Sequence, residues 1–218
     1  MARIALFGAT GTIGGRVLHE ALGRGHQVTA VVRDPERLPD PDGAAVTRGD
    51  VLDPSSVAEA AEGHDVVVSA VGPGSGDAGA IVAAAKSLIG GVQTLGTDET
   101  SRPRLVTVGG AGSLRTAGGG QVWDQEGVPE PVLAVMRAHG EALDFLLTVP
   151  VEEVRWTSLS PAALIAPGER TGTYRLGLDD LIVDAEGLSR ISTEDYAVAL
   201  VDEVERDAHA GRRFTVGY

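Results

Sequence analysis

The stretch Arg3-Ile4-Ala5-Leu6-Phe7-Gly8-Ala9-Thr10-Gly11-Thr12-Ile13-Gly14-Gly15 decides the fold. A short apolar run flows without a break into three glycines spaced by two residues, and an amphipathic segment over 16–22 follows. That order predicts a strand, a tight turn and a helix. Glycines at 8, 11 and 14 suit a sharp exit from the strand, a backbone that a phosphate can approach, and close packing of helix on sheet. The first N–H groups of such a helix, with the positive end of its dipole, favour an anion. The spacing G-x-x-G-x-x-G differs from the more familiar G-x-G-x-x-G, so the prediction rests on the strand before and the helix after.

Working outward, the same alternation repeats. Apolar runs at 27–32, 45–51, 65–72, 104–108 and 155–159 read as strands, and segments 55–61, 78–89, 132–147 and 193–205 read as helices. The 65–72 run, Asp65-Val66-Val67-Val68-Ser69-Ala70-Val71-Gly72, is apolar without alternation, as a strand covered on both faces should be. Beyond residue 168 the alternation weakens to one short strand before Leu178, another over 189–192 and a last one at 214–216. Strand–helix units in series predict an α/β, Rossmann-type, doubly wound parallel sheet with right-handed crossovers. The expected organisation is one domain over 1–218, with a small C-terminal elaboration from about 160 on the substrate side.

Composition narrows the partners. The 218 residues carry a formal charge of −13, which argues against nucleic acid. Cysteine is absent, so disulfides and thiolate metal sites are excluded and a reducing compartment fits. No apolar run reaches membrane-spanning length, and Met1 stands close to the first strand, so a cytoplasmic protein acting on a small molecule is expected. The sequence is silent on oligomeric state.

Several residues fall where a dinucleotide would lie in such a sheet. At the end of the second strand Arg33 comes first and Arg37 follows a turn later, two guanidinium groups suited to a 2′-phosphate. Asp34 keeps a ribose 2′-hydroxyl open, so NADP(H) is preferred and NAD(H) remains allowed. Asp50 is placed to accept from an adenine amino group with Val51 against the ring. Ala70, Val71 and Gly72 should pass under the ribose, and Gly109 and its neighbouring glycines should let the flat nicotinamide come close. The long 115–131 segment, with Trp123, reads as a substrate wall. His139 is the group titrating near neutrality on the helix expected to flank the pocket. His19, His26, His64 and His209 make no metal-ligand spacing, so no metal is expected.

The residues Gly8-Ala9-Thr10-Gly11-Thr12-Ile13-Gly14, the segment 31–38, Gly49-Asp50-Val51, Thr171-Gly172-Thr173-Tyr174 and the segment 189–195 resemble an atypical, extended-type short-chain dehydrogenase/reductase. Within that family the chain resembles the NAD(P)H-binding, NmrA-like group, and is most similar there to the branch of biliverdin reductase B, the flavin reductase. The resemblance implies that Gly8, Thr10, Gly11, Thr12 and Ile13 hold the pyrophosphate, and that Pro161, Ala162 and Ala163 back the nicotinamide. Two departures stand out. The Tyr-x-x-x-Lys pair of the wider family is missing, since none of Tyr174, Tyr196 and Tyr218 has a lysine partner and Lys86 lies in the third helix. Where flavin-reductase relatives place a serine after the fifth strand this chain has Gly110, with Ser113 a candidate replacement. The reading is therefore a reductase passing hydride from NADPH to a conjugated acceptor such as a flavin or quinone, with His139 and Ser113 as candidate catalytic residues. A non-catalytic NADP(H) sensor of the NmrA type is the alternative, and an epimerase or dehydratase ranks lower.

Overall fold

The computed structural model describes residues 1–38, 41–73, 76–96 and 102–218, with the Arg37 side chain also outside the described part. The first three strands are β1 (Arg3–Phe7), β2 (Gln27–Val32) and β3 (Ala45–Arg48), with α1 (Thr12–Gly23) between the first two. Then come α2 (Pro54–Ala61), β4 (Val66–Ser69), α3 (Gly79–Gln93), β5 (Arg104–Val108), α4 (Glu130–Leu147) and β6 (Trp156–Ser160). The C-terminal part supplies β7 (Leu164–Ala166), β8 (Arg175–Gly177), β9 (Arg190–Ser192), α5 (Thr193–Arg206) and β10 (Arg212–Gly217). The main sheet has the order β3-β2-β1-β4-β5-β6-β10-β8, parallel throughout except for the edge strand β8. This is the doubly wound architecture expected.

Alternation along the strands sorts the core into two layers. Ile4 and Leu6 of β1 pack with Val17 and Leu18 of α1 and Tyr196 and Leu200 of α5, whereas Ala5 and Phe7 face Val57 of α2 and Leu88 of α3. Each fully buried side chain of this size contributes roughly 1.5–3 kcal/mol. Tyr196 and Trp156 can be buried because their polar tips are satisfied, by Leu159 O at 2.6 Å and Val149 O at 3.1 Å.

Several boundaries shift for physical reasons. Asp53 and Ser192, each one or two positions ahead of the expected start, accept from Ser55 N and Asp195 N and are the true N-caps. β3 ends at Arg48 and β4 at Ser69, so Asp50, Val51 and residues 70–72 lie on loops beyond the strands. The C-terminal segment does more than supply loops, because β10 and β8 extend the main sheet and α5 packs with α1 in one core layer. The strand β7 was not expected; it pairs with β9 in a small second sheet.

The chain leaves β1 for β2 and β3, then returns to β4 on the other side of β1. Ligands of open α/β sheets bind at that reversal, outside the carboxyl ends of the strands.

Candidate coenzyme and acceptor site

At the reversal the three glycines divide their work. Gly8 has φ +85°, and a Cβ there would lie 2.6 Å from Ala70 O, so β1 can leave beside β4 only through glycine. Gly14 lies against that turn, where a Cβ would stand 2.0 Å from Gly8 O. Gly11 is different: it has φ −85° and ψ 170°, and only Gly8 O, at 3.3 Å, crowds a Cβ. Its backbone angles therefore do not demand glycine. Gly11 is the N-cap of α1, with no side-chain cap, so the first-turn N–H groups of Thr12 and Ile13 are left for an outside acceptor. Thr10, Gly11 and Thr12 are exposed around that end. An uncapped helix start, open at the one glycine that neither turn nor packing requires, fits a dinucleotide pyrophosphate.

Past β2, Arg33 is exposed and forms no hydrogen bond or ion pair among the described residues. Asp34 instead caps the short turn at Pro35–Arg37, its carboxylate accepting from Glu36 N at 3.2 Å. The residue that kept a ribose hydroxyl open is thus engaged locally, and the Arg37 side chain lies outside the described residues. Beyond β3, Gly49 passes close to Val31, and the exposed Asp50 accepts from Leu52 N at 3.0 Å. Val51 beside it packs on the α2–α3 layer. On the other side of the reversal Ala70 N donates to Phe7 O at 2.9 Å, leaving Val71 half-buried and Gly72 exposed.

At the exit of β5 the glycines also serve packing against α4 and β6. A Cβ at Gly110 would lie 2.6 Å from His139 Cβ, one at Gly112 2.6 Å from Met136 Cβ, and one at Gly109 2.8 Å from Ser158 Oγ. The Trp123 ring, half-buried, presses on Gly112 and on Gly140 of α4. Pro161 and Ala162 are buried behind this exit, and Ala163, exposed, donates to Ser189 Oγ at 3.0 Å.

The two candidate catalytic side chains sit differently. Ser113 Oγ accepts from Arg213 Nη1 at 2.7 Å, and that guanidinium is anchored by Asp179 Oδ1 at 2.6 Å. His139 lines a recess between α3, α4 and the sheet together with Val71 and Gly109. Burial pushes its pKa down to about 4, so the imidazole is uncharged at neutral pH. Glu141 is exposed on another face. His26, His64 and His209 are tied to Ala2 N, Thr29 Oγ1 and Glu203 respectively, and no group of residues suited to a metal occurs among the described residues.

All three tyrosine hydroxyls are taken by internal acceptors, Tyr174 by Asp202 at 2.6 Å, Tyr196 by Leu159 O at 2.6 Å and Tyr218 by Asp195 at 2.7 Å. Burial raises the pKa of each. Lys86 stands over the Phe145 ring at 5.9 Å.

Fold and site together define a dinucleotide-binding α/β protein. The profile of the NAD(P)H-binding family matches residues 8–204, and the chain belongs to that family. A Burkholderia pseudomallei structure provisionally named as an exported protein shares 47% identity, covers 100% of both chains and superposes with a TM-score of 0.88. One from Bacteroides thetaiotaomicron, provisionally named as an epimerase, shares 43% over 99% of this chain and 96% of its own, with a TM-score of 0.87. One from Streptococcus pneumoniae, provisionally named as an NADH-flavin reductase, shares 29% over 100% and 99%, with a TM-score of 0.86. These matches agree with the resemblance to atypical short-chain dehydrogenase/reductases. No helix among the described residues is long and apolar enough to cross a membrane.

Proposed function

We propose that the protein is an NADPH-dependent reductase of small conjugated acceptors, acting in the cytoplasm where that coenzyme is kept reduced. Residues 8–13 hold the pyrophosphate, Arg33 and Arg37 the 2′-phosphate, and Asp50 and Val51 the adenine. Ala70, Val71 and Gly72 flank the ribose, with Gly109, Pro161, Ala162 and Ala163 around the nicotinamide. The bound coenzyme supplies a hydride.

The observation that carries the choice of acceptor is the engagement of every tyrosine. Reduction of an isolated ketone puts charge on one oxygen, and a tyrosine beside a lysine normally meets it. Here the group left at the site is a neutral imidazole, a hydrogen-bond donor with no charge of its own. An acceptor that spreads charge over its own rings needs no more. Alignment in the cleft then supplies most of the acceleration. The same lack of an acid/base pair disfavours the epimerase chemistry suggested by one relative's provisional name.

The test is loss of nicotinamide absorbance with free flavins, quinones, ketones and sugars. We expect slow turnover with flavins or quinones and none with simple ketones. His139→Ala should lower the rate by less than about a hundredfold, the lower end for a lost general acid. Robust ketone turnover would overturn the scheme, and tight NADPH binding with no acceptor reduced would favour a redox sensor.

A further inference from the structure

Strand register puts three hydroxyl side chains in one line. Ser69 of β4 stands opposite Thr107 of β5, Thr107 opposite Ser158 of β6, and Ser158 opposite Arg213 of β10. They leave the sheet on the α3 and α4 side, as Val67, Leu105 and Trp156 do two residues earlier. The apolar row is closed packing, and the hydroxyl row is not. Between it and the helices lies a recess of about 30 Å³, bounded by Ser69, Thr107, Ser158 and His139 and walled by apolar side chains such as Ile81 and Leu146.

Buried hydroxyls need hydrogen-bond partners. Thr107 Oγ1 reaches Thr157 O only at 3.4 Å. The hydroxyls of Ser69 and Ser158 and the ring nitrogens of His139 have no side-chain hydrogen bond among the described residues. A recess of that volume with several polar walls holds one water molecule. Gly110 sets the ring in place, because the space of its missing Cβ is filled by His139 Cβ and Cγ.

We infer that one water is bound in this recess between the Ser69, Thr107 and Ser158 hydroxyls and His139, and that the row thereby decides which imidazole nitrogen carries the proton. Which nitrogen of a neutral histidine is protonated follows from the hydrogen bond its other nitrogen makes, usually to a carboxylate or carbonyl. Among the described residues no carboxylate lines the recess. The groups around it from β4, β5, β6 and α3 are Ser69, Thr107, Ser158, Ile81, Ala84, Ala85 and Leu88, all uncharged, and Arg137 and Glu141 of α4 are exposed. Water is the partner left. The purpose, a fixed N–H presented to the acceptor, rests on the reductase reading; the hydration and the tautomer do not.

The test uses the full chain without coenzyme. ¹⁵N NMR of the imidazole should show His139 as a single neutral tautomer from pH 8 to about 5.5, and a crystal structure should show one ordered water among the three hydroxyls. In the Thr107→Val/Ser158→Ala double variant the two tautomers should mix, while Thr107→Ser, which keeps the hydroxyl, should match the parent. Equal tautomer populations in parent and double variant, or a dry recess, would overturn the inference. If acceptors are reduced, kcat of the double variant should fall toward that of His139→Ala with KM for NADPH unchanged. If none is reduced, the reductase reading fails and the spectroscopic result still decides this one.

Discussion

At the scale of single residues, the glycine turn separates what the fold needs from what the ligand needs. Gly14→Ala would drive a Cβ into backbone at 2.0 Å. A loss of about 3 kcal/mol is expected, read as a fall in Tm of roughly 6–12 °C for a chain of this size. Gly11→Ala should leave Tm nearly unchanged, since its φ of −85° is open to any residue, and weaken coenzyme binding by crowding the helix start. Similar Tm losses in both would mean that Gly11, the middle glycine, is only packing. Arg33→Ala should weaken NADP by about 1.5–3 kcal/mol, the value of a hydrogen bond to a charged group, and leave NAD almost unaffected. Calorimetric titration with each coenzyme checks this, and equal losses would put the 2′-phosphate elsewhere. The residues of this turn were legible because strand, glycines and helix are contiguous. Ser69, Thr107 and Ser158 were not, because a hydroxyl inside an apolar strand carries no sign of which neighbours the sheet will set beside it.

At the scale of elements, α4 is docked through glycines on both sides of the contact. Trp123 presses on Gly140, where a Cβ would lie 2.7 Å from the ring. In an isolated helix Gly→Ala would be favourable by about 1 kcal/mol. Here the clash should win: Gly140→Ala displaces Trp123, seen as a red shift of the exposed component of tryptophan emission, with the fully buried Trp156 as internal reference. Stabilisation without a spectral change would show that the wall yields at no cost. The sequence put Trp123 in a long segment read as a substrate wall, but gave no sign that Gly112 and Gly140 leave the space that Trp123 and Met136 fill. The helices expected from 55 and 193 have their N-caps one or two residues earlier, at Asp53 and Ser192. Only the side chain that reaches a free N–H decides.

For the whole molecule, acid should act in two separate windows. His139 has a pKa of about 4 in the folded chain against 6.5 as an ordinary histidine. The unfolded chain therefore binds the proton first, and stability that is complete above pH 6.5 is lost as pH falls toward 4. The loss amounts to up to about 3 kcal/mol. Glu20 runs the other way in charge and lower in pH: its guanidinium partners Arg170 and Arg24 hold it at about 2. Its contribution is present above about 4.5 and lost as pH falls to about 2. Urea midpoints should thus drop between pH 7 and 5 in the parent and much less in His139→Gln, whereas Glu20→Gln should lower the midpoint above about pH 4.5 and flatten only the more acidic fall. A His139→Gln profile parallel to the parent's would show that the imidazole is not the group responsible. The order of the sheet has one further consequence, for synthesis. β8 joins the main sheet through β10, which is made after α5. On the ribosome, β1 to β6 can pair as each emerges, and the 179–181 stretch can pair with Arg115, while the strand β8 itself must wait for β10 as an edge bearing Leu176. A translational pause just past α5 should therefore raise the aggregated fraction, read by sedimentation of the stalled product.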